Sequence, residues 1–112
     1  MLDGVSYGRV FRKAGRSKDR HFTVLYRSNG SDEARLGLAI SKKNTKLATA
    51  RNRLKRLVRE SFRQNKDQLA GLDVVVLNQR GTQTADNLTL FASLKKHWAA
   101  CQKKGRGTAS RN

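Results

Sequence analysis

Six cations are spaced along Ala50–Arg63 (ARNRLKRLVRESFR): Arg51, Arg53, Lys55, Arg56, Arg59 and Arg63, with Lys46 and Lys66 extending the run on either side. Guanidinium and ammonium groups grip phosphate through charge-assisted N–H donors, so the chemistry this spacing suits is the binding of a polyanion. At about 100° per residue, Leu54, Leu57, Val58 and Phe62 fall within one arc of roughly 140°. Arg51, Asn52, Lys55, Arg56, Arg59, Arg63 and Lys66 fall within a neighbouring arc of about the same width. Glu60, at the edge of that arc, is the only acid in the stretch. A solvated helix normally mixes its charges to gain small pairing energies. Here a single sign is kept, which predicts a helix docked on a core and presenting cations outward. Arg51 and Arg53 fall in the first turn, where the helix dipole is already positive and a cation typically costs about 0.3–1 kcal/mol. Free N–H groups and guanidinium groups at one helix end together suit a phosphate. Asn52 is open between a local cap or backbone clamp and an RNA contact.

Few other residues are spaced for chemistry. The 8 acids (Asp3, Asp19, Asp32, Glu33, Glu60, Asp67, Asp73 and Asp86) form no two-metal nuclease motif. Nothing in the sequence brings His21 and His97 together as a general acid and base. His97 and Cys101 stand four apart on an expected helix, which is half a metal site at most, and no metal ligation is assigned. Tyr7 and Phe11 also stand four apart on one helix face, and Tyr26 comes from a strand expected to face them. With Lys42 and Lys43 nearby, these aromatics suit sequence-tolerant stacking of single-stranded bases, although the same spacing is equally a core pattern. Phe22, Phe62, Phe91 and Trp98 read as core.

The composition points the same way. Among 112 residues, 25 Lys and Arg stand against 8 Asp and Glu, a formal charge of +17. Such self-repulsion opposes compaction unless a counter-charged partner is present. Nucleic acid is the leading partner and an anionic membrane surface the second. No apolar run approaches the roughly 18 residues needed to span a bilayer, and the N-terminus lacks a secretory pattern. Cys101 is the only cysteine, which rules out an intrachain disulfide and suits a reducing cytoplasm.

The elements that position these residues follow from periodicity. Asp3–Gly15 suits a short helix through Tyr7, Val10, Phe11 and Ala14, ended by Gly15. His21–Arg27 alternates Phe22, Val24 and Tyr26 against His21, Thr23, Leu25 and Arg27, and Leu36, Leu38 and Ile40 alternate with Gly37, Ala39 and Ser41. The intervening SNGSD predicts a turn and an antiparallel hairpin. Thr49 is the expected N-cap of the basic helix, which runs to about Leu69 and stops near Gly71. Asp73–Gln79 reads as a buried strand. Asp86 or Asn87 opens a last helix buried through Leu88, Leu90, Phe91, Leu94 and Trp98. Residues 1–102 then form one domain, and 103–112 a basic, disordered tail. The order α-β-β-α-β-α gives an α+β sandwich with one sheet.

Arg51-Asn52-Arg53, followed by Lys55-Arg56 and Arg59-Glu60, resembles the signature of the bacterial ribonuclease P protein subunit. Tyr7-Gly-Arg-Val-Phe11 is similar to that family's first helix, Leu36-Gly37 with Ser41-Lys42-Lys43 to its second strand and following loop, and Asp73-Val-Val-Val to its third strand. The resemblance spans roughly Val5 to Trp98. It implies a ribosomal S5 second-domain-like fold with a left-handed βαβ crossover, opposite to the general rule. It also implies an accessory protein, the RNA subunit performing the hydrolysis that frees the tRNA 5′ end. By resemblance, Arg51, Asn52, Arg56 and Arg59 contact the catalytic RNA, supported by Arg53, Lys55 and Arg63. Tyr7, Phe11, Tyr26, Lys42 and Lys43 then receive the 5′ leader of precursor tRNA. Mg²⁺ is expected mainly on the RNA and substrate. Neither a membrane nor an obligatory protein partner is implied.

Three rival readings fit parts of the sequence. A structural protein of the ribosome would share charge and size. A DNA-binding protein reading the major groove would need a second helix with a short turn before the basic one, which is missing. A self-sufficient nuclease would need a catalytic constellation.

Overall fold

The most apolar stretch of the chain, LDVVVLN, becomes a central strand with neighbours on both sides, because only there are both of its faces covered. The fold comes from a computed structural model and is described for residues 14–103. In chain order the elements are β1 (Gly15–Lys18), β2 (Phe22–Ser28), β3 (Arg35–Ala39), α1 (Ala48–Gln64), β4 (Leu72–Asn78) and α2 (Asn87–Cys101), with 3-10 turns at Asp67–Leu69 and Arg80–Gln83. The expected first helix, with Tyr7 and Phe11, lies outside the described residues except for its end. Of the basic tail only Lys103 is described.

The α+β class with one sheet agrees with the sequence reading, but the strand order does not. The order is β1-β2-β4-β3, with β2 antiparallel and β3 parallel to β4. β2 and β3 are therefore not a hairpin. The segment between them passes over the start of β4, where Asn29 N–H donates to Gly71 O (2.9 Å) and Gly71 N–H to Glu33 O (3.2 Å). The turn signal was real, but the doubly apolar β4 displaces β3 from β2's edge. β3, α1 and β4 form a crossover unit joining two adjacent parallel strands.

β1 was not foreseen. Gly15, expected to end a helix, instead pairs with Tyr26 at the start of a four-residue edge strand. GRSK is short and polar, carrying no apolar alternation to mark it, and cations on a short edge strand discourage further pairing. Gly15 is required there: a Cβ would stand 2.4 Å from the Tyr26 ring.

One face of the sheet carries Phe22, Val24, Tyr26, Leu36, Val74 and Val76, packed with Leu54, Leu57 and Val58 of α1 and Leu90, Leu94 and Trp98 of α2. The basic helix is thus seated through the residues its periodicity selected. It begins at Ala48 rather than after Thr49, with Leu47 as an N-cap that offers no side-chain bond. Arg51 accounts for the shift: its Nη1 donates to Thr45 O (3.0 Å) and Lys46 O (2.7 Å), and its N–H to Leu47 O (3.0 Å). α2 is capped by Asp86, whose side chain accepts from Thr89 N–H. Leu88, expected in its buried face, is 81% exposed. Leu90, Leu94, Trp98 and Cys101 set the phase, and Leu88 lies about 200° from Leu90 around the axis.

A polar cluster clasps β1 to α2. Asp19 Oδ1 accepts from the backbone N–H groups of His21 (2.8 Å) and Phe22 (2.9 Å), and Oδ2 from Ser93 Oγ (2.5 Å). Burial alone would raise the Asp19 pKa, but the bonds from Ser93, Phe22 and His21 and the nearness of His97 outweigh it and hold the carboxyl at about 2. A folded-state pKa below the ordinary 3.8 contributes stability that is present above the unfolded value and lost as pH falls through the folded one. In chemical unfolding, the stability gap between wild type and Asp19→Asn is expected to narrow as pH falls from about 4 towards 2. A gap independent of pH would contradict this role.

Candidate nucleic-acid interface

The stripe on α1 divides into cations that hold the fold and cations left for a partner. Arg51 binds the preceding loop, Arg53 Nη2 donates to Ala85 O (3.3 Å), and Arg63 forms an ion pair with Glu60 one turn earlier. That pair lowers the Glu60 pKa and raises that of Arg63, both through their mutual hydrogen bonds. Asn52, Lys55, Arg56 and Arg59 have no hydrogen-bonding or ionic partner among the described residues, and Asn52, Arg56 and Arg59 are exposed. These four occupy an arc of only about 100°. The stripe is thus narrower than the sequence suggested, and Arg51 and Arg53 do structural work that spacing alone did not reveal.

The entrance to α1 adds donors to this surface. With no side-chain cap and no acid in the first turn, the N–H groups of Ala48, Thr49 and Ala50 have no intrahelical acceptor, at the end where the dipole favours an anion. The loop before it is held firmly. Buried Asn78 accepts from Ser41 N–H (2.7 Å) and donates to Ser41 O (3.1 Å) and Thr45 Oγ1 (2.7 Å), while Asn44 Nδ2 donates to Asn78 O (2.9 Å). Lys42 and Lys43 are exposed within this pinned loop.

The residues expected to receive a single strand are not all brought together. Tyr7 and Phe11 lie outside the described residues. Tyr26 is 6% exposed and packed in the main core. Burial, with a smaller contribution from Cys101 nearby, raises its pKa. So buried, it cannot act as a stacking platform: it lies on the face packed against α1 and α2, while the opposite face carries Leu25 and Val75, also buried, with Leu77 and Ala39 partly buried. Cross-strand pairing puts Arg16 beside Leu25 and Lys18 beside Thr23 on that opposite face, with Arg27 and Arg35 flanking Asp73. Arg35 is tied to Asp73 by two bonds, of 2.8 and 3.1 Å. Arg16, Lys18 and Arg27 have no partner among the described residues.

A further cationic corner escaped sequence reasoning. Lys18, Arg20 and Arg80 line one hollow with Asn44, Gln79 and a single acid, Asp19. Gly81 N–H donates to Arg20 O (3.1 Å) and Gln79 N–H to His21 O (2.8 Å), which brings the two arginine-bearing turns together. A Cβ on Gly81 would stand 2.3 Å from Arg20 O, so the approach needs glycine. Only isolated basic residues signalled this corner in the sequence.

The groups of possible catalytic interest are employed structurally. His97 and His21, which the sequence gave no reason to associate, approach opposite oxygens of Asp19, at 3.2 and 4.0 Å. His97 Nδ1 lies 2.6 Å from Ser17 Oγ, and its Nε2 is too poorly aligned on Asp19 for a good hydrogen bond. The ring is 3% exposed, out of reach of a substrate. Burial pushes the Cys101 thiol up to about 12. Among the described residues, no group of three or more His, Cys, Asp or Glu side chains is arranged to hold a metal ion, and no helix is long and apolar enough to cross a membrane.

Comparison with known proteins agrees with the fold. The family model described as Ribonuclease P matches residues 2–102. The ribonuclease P protein component of Vibrio campbellii is 44% identical over 107 residues, covering 96% of this chain and 91% of that protein. Its counterpart from Pseudomonas aeruginosa is 50% identical over 99 residues, covering 88% and 73%. Among solved structures, the RNase P protein of Thermotoga maritima superposes with a TM-score of 0.76 at 34% identity, covering 83% of this chain and 91% of that one. That of Staphylococcus aureus gives 0.79 at 28% identity, covering 86% and 88%. With its fold matched over more than four fifths of its length and its family model spanning all the described elements, the chain belongs to the bacterial ribonuclease P protein family.

Proposed function

We propose that this chain grips the catalytic RNA of ribonuclease P through α1 and guides the single-stranded 5′ leader of precursor tRNA, while the RNA subunit carries out phosphodiester hydrolysis. The observation that carries this reading is the row Asn52, Lys55, Arg56 and Arg59, unpartnered among the described residues on a helix whose other side is buried core. Rigid mounting matters because cations held in place lose little entropy on meeting phosphates. The reading assigns the leader to the cationic edge of the sheet face opposite the helices, where Arg16 and Lys18 stand beside Leu25 and Thr23, with Lys42 and Lys43 of the pinned loop and, by the family resemblance, Tyr7 and Phe11 as its further contacts.

Mg²⁺ in this reading belongs with the RNA and substrate. Asp19, Glu60, Asp73 and Asp86 are each engaged by partners within the fold, so these carboxylates do not fit a resident Mg²⁺ site. The protein's part is to neutralise phosphates where two RNAs meet, which lets the ion bind at lower concentration. The ribosomal alternative is not favoured, since the relatives found are ribonuclease P proteins.

Precursor-tRNA cleavage by a bacterial ribonuclease P RNA, measured across Mg²⁺ concentrations with and without the chain, tests the reading. The chain should lower the Mg²⁺ requirement and cleave nothing alone. Cleavage unchanged at every Mg²⁺ concentration would overturn it.

A further inference from the structure

A cleft of about 470 Å³ opens between α1 and the start of α2, lined by Asn52, Arg53, Arg56, Leu57, Asn87 and Phe91. Leu57 is 5% exposed and Phe91 is a partly buried member of the core, so the floor is apolar and aromatic. Asn52 and Asn87 are exposed on different helices, without partners among the described residues. Arg53 is steadied by Ala85 O, and Arg56 has no partner among the described residues.

Phosphate alone does not call for this lining. A ribose-phosphate backbone needs cations and N–H donors, and an apolar floor adds nothing to its binding. A planar heterocycle uses all three kinds of group: an aromatic face to stack on, amides to bond its edge, and a guanidinium for the phosphate that follows. Protein recognition of RNA relies on unstacked bases held in this way, and an Asn amide pairs in bidentate fashion with adenine. The volume falls within the usual range of about 300–1,000 Å³ for small-ligand sites.

We infer that the α1–α2 cleft receives an unpaired nucleobase of the catalytic RNA, stacked on Phe91 and bonded at its edge by Asn52 and Asn87. The inference rests on the proposed function and deepens it, turning an electrostatic grip into recognition of one flipped-out base. The catalytic RNA is the occupant because Asn52 and Arg56 belong to both the stripe and the cleft. The face assigned to the leader lies on the other side of the sheet.

The test is the affinity of the full chain for ribonuclease P RNA over a range of salt concentrations, with chemical probing of unpaired bases in the same complexes. Loss of one stacked base is expected to weaken Phe91→Ala by about 5- to 150-fold. Its log–log salt slope should stay at the wild-type value, because no phosphate contact is lost. Phe91→Tyr should restore binding. Asn87→Ala, at an exposed position that does not endanger folding, should lose several-fold with the slope again unchanged. Wild type should protect an unpaired base that Phe91→Ala and Asn87→Ala leave reactive. Wild-type affinity in both alanine variants, or a shallower slope in Phe91→Ala, would overturn the inference while leaving the proposed function standing. So would dimerisation of the free protein abolished by Phe91→Ala, which would make the occupant a second copy of this chain. Failure of the wild-type chain to bind the RNA would remove the proposed function and this inference with it.

Discussion

Replacing both Arg56 and Arg59 with alanine is expected to flatten the salt dependence of RNA binding and to cost most of the affinity at low salt. Neither guanidinium has a partner among the described residues, so their removal leaves no buried group stranded and the fold intact. Each cation–phosphate contact contributes a log–log slope of about −0.7 to −0.9. Two lost contacts should make the slope shallower by about 1.4–1.8, a loss of roughly 25- to 60-fold near 0.1 M salt. Arg51→Ala and Arg63→Ala provide the contrast. Arg51 holds the loop before α1 and Arg63 is neutralised by Glu60, so the first should reduce stability and the second should change the slope little. If Arg63→Ala altered the slope as much as Arg56→Ala, the division of the stripe into structural and free cations would be wrong.

Trp98→Ala is expected to destabilise the protein by about 3–5 kcal/mol. The ring is 0% exposed, its Nε1 donates to buried Ser61 Oγ at 2.8 Å, and it meets Phe62 edge-on with centroids 6.1 Å apart. Removing it leaves a large cavity and a hydroxyl without its donor. Trp98→Phe keeps most of the packing but strands Ser61, an expected cost of about 1–3 kcal/mol. Urea unfolding followed by far-UV circular dichroism measures both. A loss below about 1 kcal/mol for Trp98→Ala would show that the α1–α2 contact is not what seats the basic helix. Because Ser61 and Phe62 are on α1, the same substitution should loosen the surface offered to RNA.

Much of this was legible along the chain. Leu54, Leu57 and Val58 are buried as their spacing required, and Asp86 caps the last helix. The RNR-x-KR-xx-RE string identified the family that the comparisons then showed. Tyr26 is instructive, because period-two alternation already set it on the same face as Phe22 and Val24, which read as core. Its assignment to a stacking site followed its aromatic character against that rule, and the packed structure follows the alternation. β1 was invisible because four polar residues at a sheet edge carry no hydrophobic signal.

What the residues decided unaided are properties set by neighbours in sequence: the phase of the basic helix, the cap at Asp86, the apolar character of β4 and the sign of the surface. Strand order, the clasp of Asp19 on Ser93 across 74 residues, and the cleft between Asn52 and Asn87 are different in kind. They depend on which elements compete for the covered centre of the sheet and on bonds between distant segments. Periodicity carries no information about either, so only the folded chain could choose which arginines brace the protein and which are left without partners among the described residues.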